Sequence, residues 1–184
     1  GYLVGKEMGK QLGGKGNVVI IQSPPGALLG VNREKGFRQA MAELYPNIKI
    51  VGAQSAEGWK KEIAITIMNS FLQANSQLDG VFAVNDNMAE GAMIAAEAAG
   101  RLGQIKVWGA NGQKSTLELI ELGKIAGTAY NNSFEQGSLI ARMILERFEK
   151  KLGPATDAQT NVIQIPPFAA TKETVGQIAA ADRW

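Results

Sequence analysis

The chain has 184 residues, of which 45% are hydrophobic and 20% charged. This suits one globular domain, or one plus part of another, and excludes disorder, collagen and a disulfide mini-scaffold. Lys and Arg number 19 against 17 Asp and Glu, a net charge of +2 with no long single-sign run, so no basic stripe marks a nucleic-acid reader. There is no Cys and no His, which removes thiol catalysis, imidazole acid–base work, Ser-His triads and nearly all zinc sites. No apolar run is long enough to span a bilayer. The sequence starts at Gly1 inside what reads as a helix, so a fragment or a processed form is expected.

In chain order, a first helix runs from about Tyr2 and stops at the glycines of segment 11–16. Apolar runs suited to buried parallel strands then alternate with helix-period segments. Strands are predicted over 17–22, 48–54, 80–85, 106–111, 125–130 and 162–165. Between the first two strands, Phe37, Ala40, Met41 and Leu44 share a helix face; after the second, Ile63, Ile67, Met68 and Phe71 do so. After Tyr130 the stripe is Phe134, Leu139, Ile140, Ile144, Leu145, Phe148 and Leu152. Capping-box spacing places helix starts at Asn87 with Glu90, Ser115 with Glu118, and Ser133 with Gln136. Gly123 stands where a residue just past a helix end should. This alternation predicts an α/β fold: a doubly wound parallel sheet in three α/β/α layers, with right-handed crossovers. Segment 153–160 reads as a linker.

Two phosphate motifs fail on context. Gly9, Gly14 and Lys15 match most of a phosphate loop, but a helix precedes, a strand follows, and Gly16 stands where Ser or Thr is needed. No GxGxxG follows a strand. The stronger indication is positional, because open α/β sheets bind ligands beyond the carboxyl ends of their strands. There the sequence puts Ser23-Pro24-Pro25-Gly26 leading to Arg33, then Trp59, Asn85 with Asp86, Asn111-Gly112, and Asn131 with Asn132. Such an amide-rich rim, with one Arg and one Trp, suits a polar neutral ligand and lacks a nucleophile with a base.

Each residue also has a structural reading. Arg33, read in the first turn of its helix, opposes the helix dipole and needs either a ligand or an internal partner. Trp59 is either a core aromatic or a flat face for a sugar ring. Asn85 and Asp86 can serve as caps, Asn111-Gly112 as a turn, and one of Asn131 and Asn132 as a cap. The six Met residues read as core fillers and Trp108 as a packed strand residue. The acids Asp86, Glu90 and Glu57 show no partner at catalytic spacing.

These motifs together resemble a known family. Arg33-Glu34-Lys35-Gly36-Phe37 resembles the R-x-x-G-F segment of ribose-type periplasmic sugar-binding proteins. The run from Gly80 through Asn85-Asp86 to Ala92 resembles their V-F-A-x-N-D-x-M-A-x-G-A segment, and Val107-Trp108-Gly109-Ala110-Asn111-Gly112 takes the place of V-x-G-F-D-G. Lys124 to Thr128, then Gln136-Gly137, resembles the return to the other lobe. The resemblance covers nearly the whole chain and implies the type I periplasmic binding protein fold, with most of one lobe missing. It implies that 1–14 is a helix of the N-terminal lobe and 15–130 the C-terminal sugar-binding lobe. By the same comparison, 131–159 returns to the N-terminal lobe, and 160–184 is a last strand and tail back in the C-terminal lobe. An isolated lobe of this kind would expose apolar faces in 1–12 and 134–152.

The resemblance implies ligand-binding roles for Arg33, Trp59, Asn85, Asn111 and Asn131. Arg33 would donate to ring and hydroxyl oxygens, Trp59 would cover one sugar face, and Asn85 and Asn131 would bind hydroxyls. Asn111 falls where the family usually has Asp. An amide offers one acceptor oxygen and two donors in place of a carboxylate's acceptors, so a ligand other than ribose is expected: another pentose, a hexose, a polyol, or a ligand richer in acceptors. The implied function is the solute-binding component of an ABC importer, periplasmic or extracytoplasmic and membrane-anchored. It would close by hinge motion on a sugar or polyol without catalysis. The implied partners are a membrane permease or a chemoreceptor, with no cofactor, no metal and no nucleic acid. The effector domain of a LacI-type regulator, which needs an upstream DNA-binding head, is the alternative; an enzyme of the same architecture is the third.

Overall fold

A computed structural model of the chain describes residues 1–150 and 165–184. The elements are α1 (Tyr2–Gln11), β1 (Lys15–Gln22), α2 (Leu28–Leu44), β2 (Asn47–Ser55), α3 (Lys61–Ala74), β3 (Gly80–Ala83) and α4 (Asp86–Ala98). They continue with β4 (Lys106–Asn111), α5 (Lys114–Glu121), β5 (Gly127–Tyr130), α6 (Ser133–Glu149) and β6 (Phe168–Ala170). The strands form one sheet in the order β2-β1-β3-β4-β5-β6. The first five run parallel and β6 lies antiparallel on β5. The first five strands therefore match the α/β expectation.

The last strand differs from it. The predicted strand at 162–165, like the linker at 153–160, falls on residues outside the description apart from Ile165. The edge strand begins at Phe168, directly after Pro166 and Pro167, which lack the N–H that a ladder needs. Its antiparallel run makes the sheet mixed at one edge, an arrangement common in large doubly wound sheets.

The core follows from the apolar runs. Val18 to Ile21 of β1 and Val81 and Phe82 of β3 are fully buried, as strands covered on both faces must be. Phe37 of α2 stacks on Phe82, ring centroids 4.8 Å apart. Trp108 of β4 is fully buried and donates its indole N–H to Gln11 Oε1 at 3.0 Å. Met8, Met41, Met68, Met88 and Met93 are buried, as read for core fillers, whereas Met143 on α6 is not.

Helix α1 departs from one expectation. A lobe of this kind in isolation is expected to expose an apolar face in 1–12. Instead Val4 and Met8 are fully buried in the core shared by α2 and the sheet, and Gln11 caps the Trp108 indole. Burying those two side chains contributes about 1.5–3 kcal/mol each, and the helix has no other apolar stripe to offer elsewhere. Helix α6 behaves the other way. It has no buried residue, and Phe134, Ile140, Ile144, Leu145 and Phe148 all face out, Phe148 at 83% exposure.

The helix starts also shift. Helix α4 is capped by Asn85, whose Oδ1 accepts from Met88 N at 2.9 Å, two residues before the predicted Asn87. Strand β3 ends at Ala83 and the next N–H, on Val84, still bonds to Ile21 O, so the first side chain free to cap is Asn85. Helix α6 is capped by Asn132, which accepts from Glu135 N at 2.9 Å, instead of Ser133. Ser115 caps nothing; it lies inside α5 and donates to Glu90. Gly123 follows α5 with φ 73°, as read.

Candidate ligand-binding site

The sheet order reverses at β1, with β2 on one side and β3 on the other. At such a switch point the connections leave in opposite directions and open a crevice at the strand carboxyl ends. The sequence-predicted residues lie along this edge. Arg33 is the sixth residue of α2, in its second turn rather than its first, so the dipole argument for a compensating anion weakens. Its guanidinium is half-buried and donates Nη1 to Val84 O at 2.7 Å, bridging from α2 to the end of β3. Burial pulls Arg33 below its ordinary pKa, and the nearby Asp86 charge opposes that pull.

Arg33, Asn111 and Asn131 come together as walls of one cavity of about 340 Å³, together with Leu29, Ser133, Gln136 and Trp184. Asn111 ends β4 and pairs with Tyr130 across the ladder to β5, and its carbonyl accepts from Asn131 N at 2.9 Å. Two features set Asn111 apart. Its φ is 145°, a region that costs a non-glycine residue about 1–3 kcal/mol. Its Oδ1 is buried and has no hydrogen-bond partner among the described residues.

Trp59 and Asn85 do not line that cavity. Asn85 sits beside Val84, whose carbonyl receives Arg33, and spends its Oδ1 on the helix cap. Trp59 closes a short 3-10 turn after β2 with φ 57°. Its indole leans on Gly30 of α2, where a Cβ would come within 3.0 Å of Trp59 Cη2. The cavity residues that sequence reasoning missed are Leu29, Ser133, Gln136 and Trp184. Gln136 was legible only as part of a motif, and nothing in the sequence marked Trp184.

Asp86 and Glu90, weighed as acids, are enclosed by internal partners. Asp86 is fully buried. It accepts from Gly112 N at 2.6 Å, Gln113 N at 2.8 Å and Thr128 Oγ1 at 2.7 Å. Burial holds its carboxyl above the ordinary range, against the pull of those bonds and of Arg33. A Cβ on Gly109 would come within 2.2 Å of Asp86 Oδ1, so only glycine lets β4 pass this carboxylate. Glu90 accepts from Ser115 Oγ at 2.6 Å and Thr116 Oγ1 at 2.7 Å, and pairs with Lys61. Burial opposes ionisation of Glu90, but these bonds and the Lys61 charge outweigh it and hold the carboxyl below its ordinary value.

A larger cavity of about 550 Å³ lies at the opposite, amino end of the strands, with Lys15, Lys49 and Asp79 in its wall. There Asp79 accepts from Asn17 N at 2.7 Å, and Asn17 Nδ2 donates to Gln77 O. Lys15 opens β1 directly behind α1, the reverse of a phosphate loop. Among the described residues no group of three or more acidic side chains could hold a metal, and no helix is long and apolar enough to cross a membrane.

The cavity beyond the ends of β4 and β5 is walled by three amide side chains, one guanidinium, Ser133, Leu29 and Trp184, at the end of the sheet where open α/β folds take small ligands. Residues 1–152 match the periplasmic binding protein domain family, and the chain belongs to it. It is 34% identical over 172 residues to a xylitol-binding protein of Mycolicibacterium smegmatis, covering 91% of this chain and 46% of that protein. It superposes with a TM-score of 0.88 and 35% identity on an ABC transporter periplasmic solute-binding protein of Actinobacillus succinogenes with bound D-allose. That match covers 97% of this chain and 59% of the other. A solute-binding protein of Bacillus halodurans with bound myo-inositol matches at TM-score 0.83 and 26% identity, over 96% of this chain and 58% of that one. The chain thus spans about half the length of the relatives it matches. The recognition made from the sequence motifs, a type I periplasmic binding protein of the sugar-binding kind, agrees with the family and with these relatives.

Proposed function

We propose that this chain is the ligand-gripping lobe of the solute-binding component of an ABC importer, which holds a sugar or polyol without chemical change. The observation that carries the reading is the meeting of Arg33, Asn111 and Asn131 in one cavity, with the buried Asn111 Oδ1 lacking a partner among the described residues. A ligand hydroxyl donating to that oxygen satisfies a group whose desolvation otherwise costs about 1–3 kcal/mol. Arg33 and the two amides supply donors for the ligand's oxygens. Asn85 and Trp59 stand on the same edge outside that wall and meet only a ligand that extends past it. The names of the relatives, which bind xylitol and D-allose, support this class of ligand. Asn111 in place of a carboxylate favours a ligand other than ribose.

In this reading a second lobe covers the cavity, and α6 with the rest of 131–159 belongs to it. The outward apolar row from Phe134 to Phe148 supports that assignment. The protein works outside the cytoplasmic membrane and delivers its ligand to a permease. The test is a thermal-shift and calorimetry panel of xylitol, D-allose, myo-inositol and ribose on the intact protein. A ligand that binds only the native state raises the unfolding midpoint. A rise with at least one of the first three and a smaller one with ribose is the expected result. A flat response to the whole panel overturns the proposal.

A further inference from the structure

The cavity holds one large aromatic side chain, and no family motif contains it. Trp184 shares the wall with Arg33, Asn111 and Asn131, at 47% exposure. It does not reach there as a loose tail. Lys114 N donates to Trp184 O at 2.5 Å, and Tyr130 Oη donates to Asp182 O at 2.8 Å. Between them Arg183 pairs with Glu121 at 2.8 Å and donates to the carbonyls of Ile178 and Val175. Val175 and Ile178 are themselves buried in the core. Three consecutive residues are thus pinned to α5, β5 and the core, and the indole is left as the part that meets the cavity.

An indole kept half-exposed beside a guanidinium and two amides offers what the rest of the wall lacks, a flat apolar surface. Leu29, the other apolar wall residue, is branched and exposed. Sugars and cyclic polyols present patches of C–H between their hydroxyls, and such patches pack on aromatic faces while the hydroxyls bond at the edges. We infer that Trp184 is a specificity-determining ligand contact, an aromatic wall on which the C–H face of a sugar or polyol packs. This rests on the sugar-binding reading above.

The test compares the intact protein with Trp184→Phe and Trp184→Ala, using D-allose, xylitol and myo-inositol as probes. Calorimetry is expected to show binding about tenfold weaker for Trp184→Ala and within about threefold of the parent for Trp184→Phe. Indole fluorescence gives a second readout that does not depend on the Ala variant folding. In a Trp59→Phe background, which leaves Trp184 and the core-sealed Trp108 as the two indoles, a ligand-induced change should be seen and should disappear when Trp184→Phe is added. If the parent binds a probe and neither affinity nor the fluorescence change depends on Trp184, the inference is overturned and the sugar-binding reading stands. If the parent binds none of the probes, both fall.

Discussion

Two clusters of polar residues lie on the same sheet edge within a few residues of each other, and they are built in opposite ways. Around Asp86 and Glu90 every recorded bond turns inward. The carboxylates collect hydroxyls, backbone N–H groups and Lys61, and they lock the start of α4 to the loop after β4, to β5 and to α5. Around Arg33 and Asn111 the bonding is incomplete. Arg33 spends one nitrogen on Val84 O, Asn111 Oδ1 has no partner among the described residues, and the Asn111 backbone is strained. Position at the strand ends therefore does not make a residue a ligand contact. The separating property is whether its hydrogen-bonding capacity is already used.

The largest expected effect lies on the inward side. Asp86→Ala removes the acceptor for two backbone N–H groups and one hydroxyl, and a negative charge near Arg33. It should destabilise the protein by about 3–5 kcal/mol, measured by urea unfolding, with weak binding only as a consequence of lost fold. An Asp86→Ala protein of normal stability that fails to bind would move Asp86 into the ligand set and break the comparison. Next comes Arg33→Ala, which should weaken sugar or polyol binding about 100-fold while costing about 1 kcal/mol of stability, one hydrogen bond's worth. Calorimetry and unfolding on the same sample separate the two. A stability loss as large as that of Asp86→Ala would assign Arg33 to the scaffold.

Glu90→Ala should cost about 2 kcal/mol near neutral pH by stranding Ser115, Thr116 and Lys61. Its pH dependence sharpens the assignment. The folded-state pKa of Glu90 lies below the ordinary 4.5. Its ionised form therefore stabilises the fold above that value, and the contribution fades as pH falls from there through the lower folded pKa. The stability gap between the parent and Glu90→Ala should narrow over that acid window. A gap unchanged there would mean that Glu90 acts through packing alone.

The five parallel strands and the residues of the rim were legible because buried strands read as apolar runs and the rim residues sit at their ends. What was illegible is instructive. Asn85, Asp86 and Asn87 are all cap candidates in sequence, the Glu90 spacing favours Asn87, and only the point where β3 stops selects Asn85. The inward role of Asp86 depends on Thr128 and Gly112, far along the chain, and on the missing Cβ of Gly109. The apolar stripes of α1 and α6 look alike in sequence, yet one is buried and the other bare, because a stripe states that a partner is needed and not which surface supplies it. Trp184 reaches the cavity through tail anchors that have no periodicity to read.

The smallest effect is the most discriminating. At φ 145° Asn111 occupies backbone space that suits glycine, so Asn111→Gly relieves strain of about 1–3 kcal/mol against about 1 kcal/mol of added chain entropy in the unfolded state. It also removes the unpartnered buried oxygen. The variant should therefore be as stable as the parent or more so, by up to about 2 kcal/mol, while binding the preferred ligand about tenfold more weakly. No residue of the inward cluster can give that pair of signs, because each Asp86 or Glu90 bond lost is stability lost. A stability that drops together with affinity in Asn111→Gly would show that the Asn111 side chain holds the fold. The strain at β4 would then lose its meaning as the cost of presenting an oxygen to a ligand.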